Sequence, residues 1–107
     1  MPDPGFVKVA QVDEISPGQM KMVEVGADQV LLVNVGGSIY ACADVCTHSF
    51  ASLSEGDLDG ETVLCPLHGA AFNVISGEAL TPPADLNLQT YEVRVAGQDV
   101  LLGPPKD

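Results

Sequence analysis

The chain has 107 residues, 46% of them hydrophobic and 18% charged, with a formal net charge of −11. That length holds one domain with a modest core, and the composition is that of a chain that folds. The charge opposes binding to nucleic acid or to an anionic membrane surface and favours protein partners with basic patches.

No apolar run approaches the ~20 residues needed to span a bilayer as a helix. The N-terminus, Met1-Pro2-Asp3-Pro4-Gly5, lacks the basic region and apolar stretch of a signal peptide. The expectation is a cytoplasmic protein.

In chain order, the residues from Phe6 to Val12 alternate as a half-buried strand does. Asp13 to Gly18 reads as a turn with room for one helical winding. Met20 to Val25 then resumes the period of two. Val30 to Val35 and Ser38 to Cys42 flank Gly36-Gly37, a two-residue hairpin signal because both glycines tolerate positive φ. Near the end, Thr90 to Val95 and Asp99 to Leu102 predict a second hairpin around Ala96-Gly97-Gln98.

These elements predict an all-β chain of antiparallel sheets, with a β core over about 1–41 and 85–107. Residues from about 42 to 84 differ, with shorter apolar runs and denser glycine and proline (Gly56, Gly60, Pro66, Gly69, Gly77, Pro82, Pro83). This stretch reads as an insertion projecting from the β core, within a single domain of residues 1–107.

The insertion holds both histidines of the chain. Each follows a cysteine, in Cys46-Thr47-His48 and in Cys65-Pro66-Leu67-His68. Sixteen residues (49 to 64) separate the two groups. Two thiolates and two imidazoles in short loops make a four-ligand metal site: Cys46, His48, Cys65 and His68. Thiolates are soft donors that stabilise ferric iron, and imidazole suits iron, zinc or copper. Zinc accepts the same donors, although zinc fingers pair their cysteines together and their histidines together. Here each arm mixes one of each.

The third cysteine, Cys42, fits the strand alternation after Ile39 and reads as a small buried hydrophobe. With Cys46 and Cys65 on a metal it has no disulfide partner, which agrees with a reducing compartment. Between residues 42 and 83 stand Asp44, Glu55, Asp57, Asp59, Glu61 and Glu78, with no Lys or Arg. If this end of the molecule is that negative, docking partners should offer basic surface.

The mixed arms, with Ser49-Phe50-Ala51 after His48 and Gly69-Ala70-Ala71-Phe72 after His68, resemble the cluster loops of Rieske proteins. The similarity is strongest to the small ferredoxins of aromatic-ring dioxygenases such as the carbazole and biphenyl systems. It is close over about 40–84. The resemblance implies a Rieske fold with a cluster-binding subdomain and a [2Fe–2S] cluster, one iron on Cys46 and Cys65 and the other on His48 and His68. It also implies a proline-bearing loop over the cluster at Thr81-Pro82-Pro83, and electron exit through the two histidines at an exposed tip.

In the respiratory branch of that family each cluster loop carries an extra cysteine, and the pair forms a disulfide. Ala51 and Leu67 stand at those positions here. That branch also has a serine and a tyrosine that donate hydrogen bonds to sulfur, where this chain has Ala70 and Phe72. Such donors stabilise the reduced, more negative cluster, so their absence implies a potential at the low end of the Rieske range, on the order of −150 mV.

With both histidines on the cluster, no mononuclear iron site and no Cys–His nucleophile remains. There is no G-x-G-x-x-G element for a nucleotide. The expectation is a monomeric one-electron carrier rather than an enzyme. The resemblance implies that its partners are a flavin-containing, NAD(P)H-dependent ferredoxin reductase and a Rieske non-haem iron terminal oxygenase. The alternatives at this point are a small Rieske subunit of a nitrite reductase-like complex and a zinc-stabilised binding module.

Overall fold

The computed structural model describes residues 5–45, 52–66, 70–80 and 87–106. The expected cluster ligands Cys46, His48 and His68, the positions Ala51 and Leu67, and the Thr81-Pro82-Pro83 loop lie outside the described residues. The described part is all-β, with one-turn 3-10 helices at Val12–Glu14 and Leu53–Glu55.

β1 (Val7–Gln11) is followed by β2 (Met20–Val25), β3 (Asp28–Val35) and β4 (Ser38–Ala43). Gly36 and Gly37, at φ +60° and +98°, make the tight hairpin that sets Val35 opposite Ser38. Then come the short β5 (Asp57–Asp59), β6 (Thr62–Leu64) and β7 (Ala71–Asn73), and finally β8 (Thr90–Ala96) and β9 (Asp99–Pro105). One antiparallel sheet runs β1-β9-β8-β4-β3-β2 and a second runs β5-β6-β7. The larger sheet curls until its edges, β1 and β2, come into contact.

β4 pairs directly with β8, Ala41 opposite Tyr91 and Cys42 opposite Thr90. The large sheet therefore passes from β4 to β8 without the residues between them, and the small sheet is an excursion from it. That topology positions the site.

β3 is not the half-buried strand that its neighbours are. Val30, Leu31, Leu32, Val33 and Asn34 are all buried. Alternation still operates, but both faces meet apolar partners. Val30 and Leu32, with Ile39 and Ala41 of β4, pack against Ala10, Ile15, Val100 and Leu102 inside the curled sheet. Leu31, Val33 and Cys42 face the other way, onto Leu53, Val63, Cys65, Ala70, Phe72, Val74 and Leu88. The β3–β4 wall thus serves two cores, which is why β3 reads as a near-continuous apolar run.

One expected turn is more deeply buried than its pattern showed, and one strand runs beyond its expected end. Ile15, placed in a turn, is 1% exposed, and buried Asn34 holds that turn down by donating from Nδ2 to the Ile15 carbonyl oxygen at 2.8 Å. β9 extends past Leu102 through Gly103-Pro104-Pro105. Its pairing with β1 ends at Val7 opposite Leu102, so these last residues have a strand partner on the β8 side alone. Proline, lacking an N–H, is tolerated at such an edge.

Candidate metal centre

Residues 46–51 and 67–69 lie outside the described residues, and each stretch is flanked by described residues that pair with one another. For residues 46–51 the base is a single antiparallel bridge, Val45 with Ser52. Behind it the Leu53 N–H donates to the Asp44 carbonyl oxygen at 2.6 Å, and the Asp44 N–H donates to the Gln29 carbonyl oxygen of β3 at 3.1 Å. The second stretch, 67–69, is flanked by the Cys65 N–H donating to the Ala70 carbonyl oxygen at 2.7 Å. Each expected Cys/His arm begins at or next to one of these necks.

Cys65 is the one expected ligand within the described residues. It follows β6 and is 4% exposed, packed in the core beneath the small sheet. Ala70 and Phe72 are both fully buried in the same core. Neither side chain offers a hydrogen-bond donor. The setting fits an iron–sulfur cluster: a soft thiolate donor in an apolar floor that keeps water away from sulfur.

Gly56 ties the first neck to the second. A Cβ at this position would collide with the Leu64 carbonyl oxygen and crowd the Pro66 ring. Only glycine allows the chain leaving the first neck to lie against the residues flanking Cys65. On the far side of the excursion the Leu88 N–H donates to the Gly77 carbonyl oxygen at 2.7 Å. The Asn87 Oδ1 accepts the Ala79 N–H at 2.9 Å. These bonds return the chain to β8.

Cys42 is fully buried in the same core as Cys65. Burial, and then the charge of Asp44, push its thiol pKa up to about 12. It is a neutral, apolar group at any physiological pH.

The acidic residues divide in a way that sequence alone misses. Glu55, Asp57, Asp59, Glu61 and Glu78 are exposed, whereas Asp44 is fully buried. The expectation that Asp44 belongs to the negative surface is therefore corrected, because its carboxylate serves the loop base instead. Its Oδ1 accepts the Ser54 N–H at 2.9 Å. Three of the four basic side chains, Lys8, Lys21 and Arg94, sit on the large sheet. Lys8 pairs with Asp99 at 3.2 Å, Lys21 with Glu14 at 3.7 Å, and the Arg94 guanidinium lies 4.7 Å from the Phe6 ring centroid.

Comparison with known proteins places this architecture. The family model for the Rieske [2Fe-2S] domain matches residues 5–92. The chain is 40% identical over 102 residues to ferredoxin CarAc of Metapseudomonas resinovorans, covering 94% of this chain and 95% of that protein. It is 43% identical over 98 residues to the biphenyl dioxygenase ferredoxin subunit of Pseudomonas sp. (strain KKS102), covering 91% and 90%. A solved complex of reduced oxygenase and oxidized ferredoxin in carbazole 1,9a-dioxygenase contains a chain that superposes with a TM-score of 0.90. That chain is 39% identical, with 98% of each chain covered. With Cys65 at the base of its loop and an apolar floor beneath it, the chain belongs to the Rieske family, and its prosthetic group is a [2Fe–2S] cluster rather than zinc.

Proposed function

We propose that this protein is the ferredoxin component of an aromatic-ring dioxygenase system, carrying one electron at a time from a flavin-containing, NAD(P)H-dependent reductase to a Rieske non-haem iron terminal oxygenase. The observation that carries this reading is the near end-to-end match to ferredoxin components of carbazole and biphenyl dioxygenases, over nine-tenths or more of each chain. Cys46 and Cys65 hold one iron, and His48 and His68 the other. The division of labour is a β core over about 1–41 and 85–107 and a cluster-binding subdomain over about 42–84. The carrier works as a monomer in the cytoplasm; among the described residues no helix is long and apolar enough to cross a membrane.

The cluster supplies a reversible one-electron couple. The protein's own residues do the rest. The two necks set the spacing of the ligand arms, and the floor of Ala70 and Phe72 withholds hydrogen bonds from sulfur and so keeps the potential low. Cys42, protonated and buried, adds neither a charge nor a competing thiolate. The exposed Glu55, Asp57, Asp59, Glu61 and Glu78 steer basic partner surfaces to this end of the molecule, while a small interface lets the carrier leave after each transfer.

The test is reconstitution. The reduced protein is mixed with a carbazole- or biphenyl-type terminal oxygenase, and separately the oxidised protein with a flavin reductase and NADH or NADPH, following the visible spectrum. Electron transfer in both directions is expected. Failure with both partners overturns the reading. Replacing Cys46, His48, Cys65 or His68 singly with alanine is expected to abolish the mixed-ligation EPR signal, and any variant that keeps it removes that residue from the ligand set.

A further inference from the structure

Asp44 is the anomaly in the core. Its side chain is fully buried. Oδ1 is occupied by the Ser54 N–H, yet Oδ2, equally buried, finds no donor among the described residues. Capping the Leu53–Glu55 turn takes one acceptor, which asparagine or serine supplies without burying a charge. A buried carboxylate is costly, because it loses its hydration while only one of its oxygens meets a donor among the described residues. A feature that destabilises the fold and that an uncharged residue could replace has a use in which the charge matters.

The main chain fixes where that charge lies. Asp44 is bonded to β3 through Gln29 and to the returning chain through Leu53, and Val45 beside it forms the bridge to Ser52. Cys46 is two residues on, and two residues of fully extended chain span at most ~7 Å. The cluster held there is formally neutral when oxidised: two ferric ions, two sulfides, two thiolates and two neutral imidazoles. One electron converts one ferric ion to ferrous and takes the total to minus one. A neighbouring negative charge in a poorly screened interior opposes that electron. The Cys42 thiol, itself held protonated in part by the Asp44 charge, feels the same field.

We infer that Asp44 is a positioning residue with a redox role: its buried carboxylate fixes the base of the first ligand loop and places a negative charge beside the cluster that lowers its reduction potential. This rests on the proposed assignment of Cys46 as a ligand. It acts alongside the missing donors at Ala70 and Phe72 and by different physics, charge rather than hydrogen bonding to sulfur.

The experiment is a spectroelectrochemical titration of the holoprotein and of Asp44→Asn at one fixed pH, with iron content and EPR recorded on the same samples. Wild type is measured first, and absence of a mixed-ligation signal there would sink the Rieske assignment rather than the role of Asp44. The Asn variant is expected to keep iron and g values while its reduction equilibrium shifts roughly tenfold toward the reduced form, about 59 mV upward for one electron. Asp57→Asn, an exposed control, is expected to shift it by less than about twofold because solvent and salt screen that charge. An intact cluster at the wild-type potential in Asp44→Asn overturns the inference. If that variant does not load iron, Asp44→Ser offers the Ser54 N–H a smaller neutral acceptor and is read the same way. Loss of the cluster from both neutral variants overturns the redox role and leaves Asp44 a structural one only.

Discussion

The Cys65 N–H donates to the Ala70 carbonyl oxygen at 2.7 Å, so the residue expected to bind iron is joined by its main chain to a residue whose side chain has no hydrogen-bond donor. Two positions further on, Phe72 is fully buried in the same core. The core shared by Cys65, Ala70 and Phe72 thus gives neither of the last two positions a side chain that can donate.

Restoring the donors should raise the potential. Ala70→Ser combined with Phe72→Tyr is expected to shift the reduction equilibrium by on the order of tenfold, about 59 mV upward. Both sites are fully buried, so a loss of about 1–3 kcal/mol in stability is expected alongside. Protein-film voltammetry decides the matter, and no upward shift in a cluster-loaded variant would remove the missing donors as a determinant of the potential.

Gly56 should tolerate no side chain. Alanine there must displace the Leu64 carbonyl next to Cys65, at a cost of about 1–3 kcal/mol by the usual penalty for overpacking. Reduced iron content per protein and faster cluster loss on warming are the expected readouts. A Gly56→Ala protein with wild-type iron retention and melting temperature would show that the two necks are not rigidly coupled.

Cys42 makes a prediction about pH with a definite sign. Its folded-state pKa is raised from the ordinary 9.0 to about 12. Below pH 9 the thiol is protonated both folded and unfolded. Above it the unfolded chain loses the proton first, so the stability due to this group declines as pH rises from about 9 toward 12, by at most ~1.4 kcal/mol per pH unit. Cys42→Ala lacks this slope. Denaturant titrations of the two proteins at pH 8 and pH 10.5 should find their stabilities converging; parallel profiles would mean that the thiol is not held protonated.

Acidic steering is tested by kinetics. Asp57 and Asp59 are both exposed on β5, the edge strand of the small sheet. Neutralising both (Asp57→Asn with Asp59→Asn) is expected to slow association with a basic redox partner by on the order of tenfold at low salt, with the difference fading at high salt. Stopped-flow reduction rates that ignore both the substitutions and the ionic strength would discard steering by this strand.

Much of this was determined by the sequence alone. The strands from Met20 to Val25 and from Ser38 onward, the Gly36-Gly37 hairpin and the all-β class follow from local rules, alternation and turn chemistry, which need no distant partner. The two Cys/His arms, with the residues that follow His48 and His68, carried the resemblance to the family. Tertiary structure decided what lies on which side of a surface. The hairpin reading of Val30 to Val35 said nothing of its two faces, and only the fold shows that each meets a separate core. Ile15 stands in the expected turn, but its burial, with Asn34 holding its carbonyl, shows only in the fold. Asp44 counted with Glu55 and Asp57 as surface charge until its carboxylate appeared in the core, bonded to Ser54. Burial depends on which distant elements pack over a residue, and local patterning carries no information about that packing.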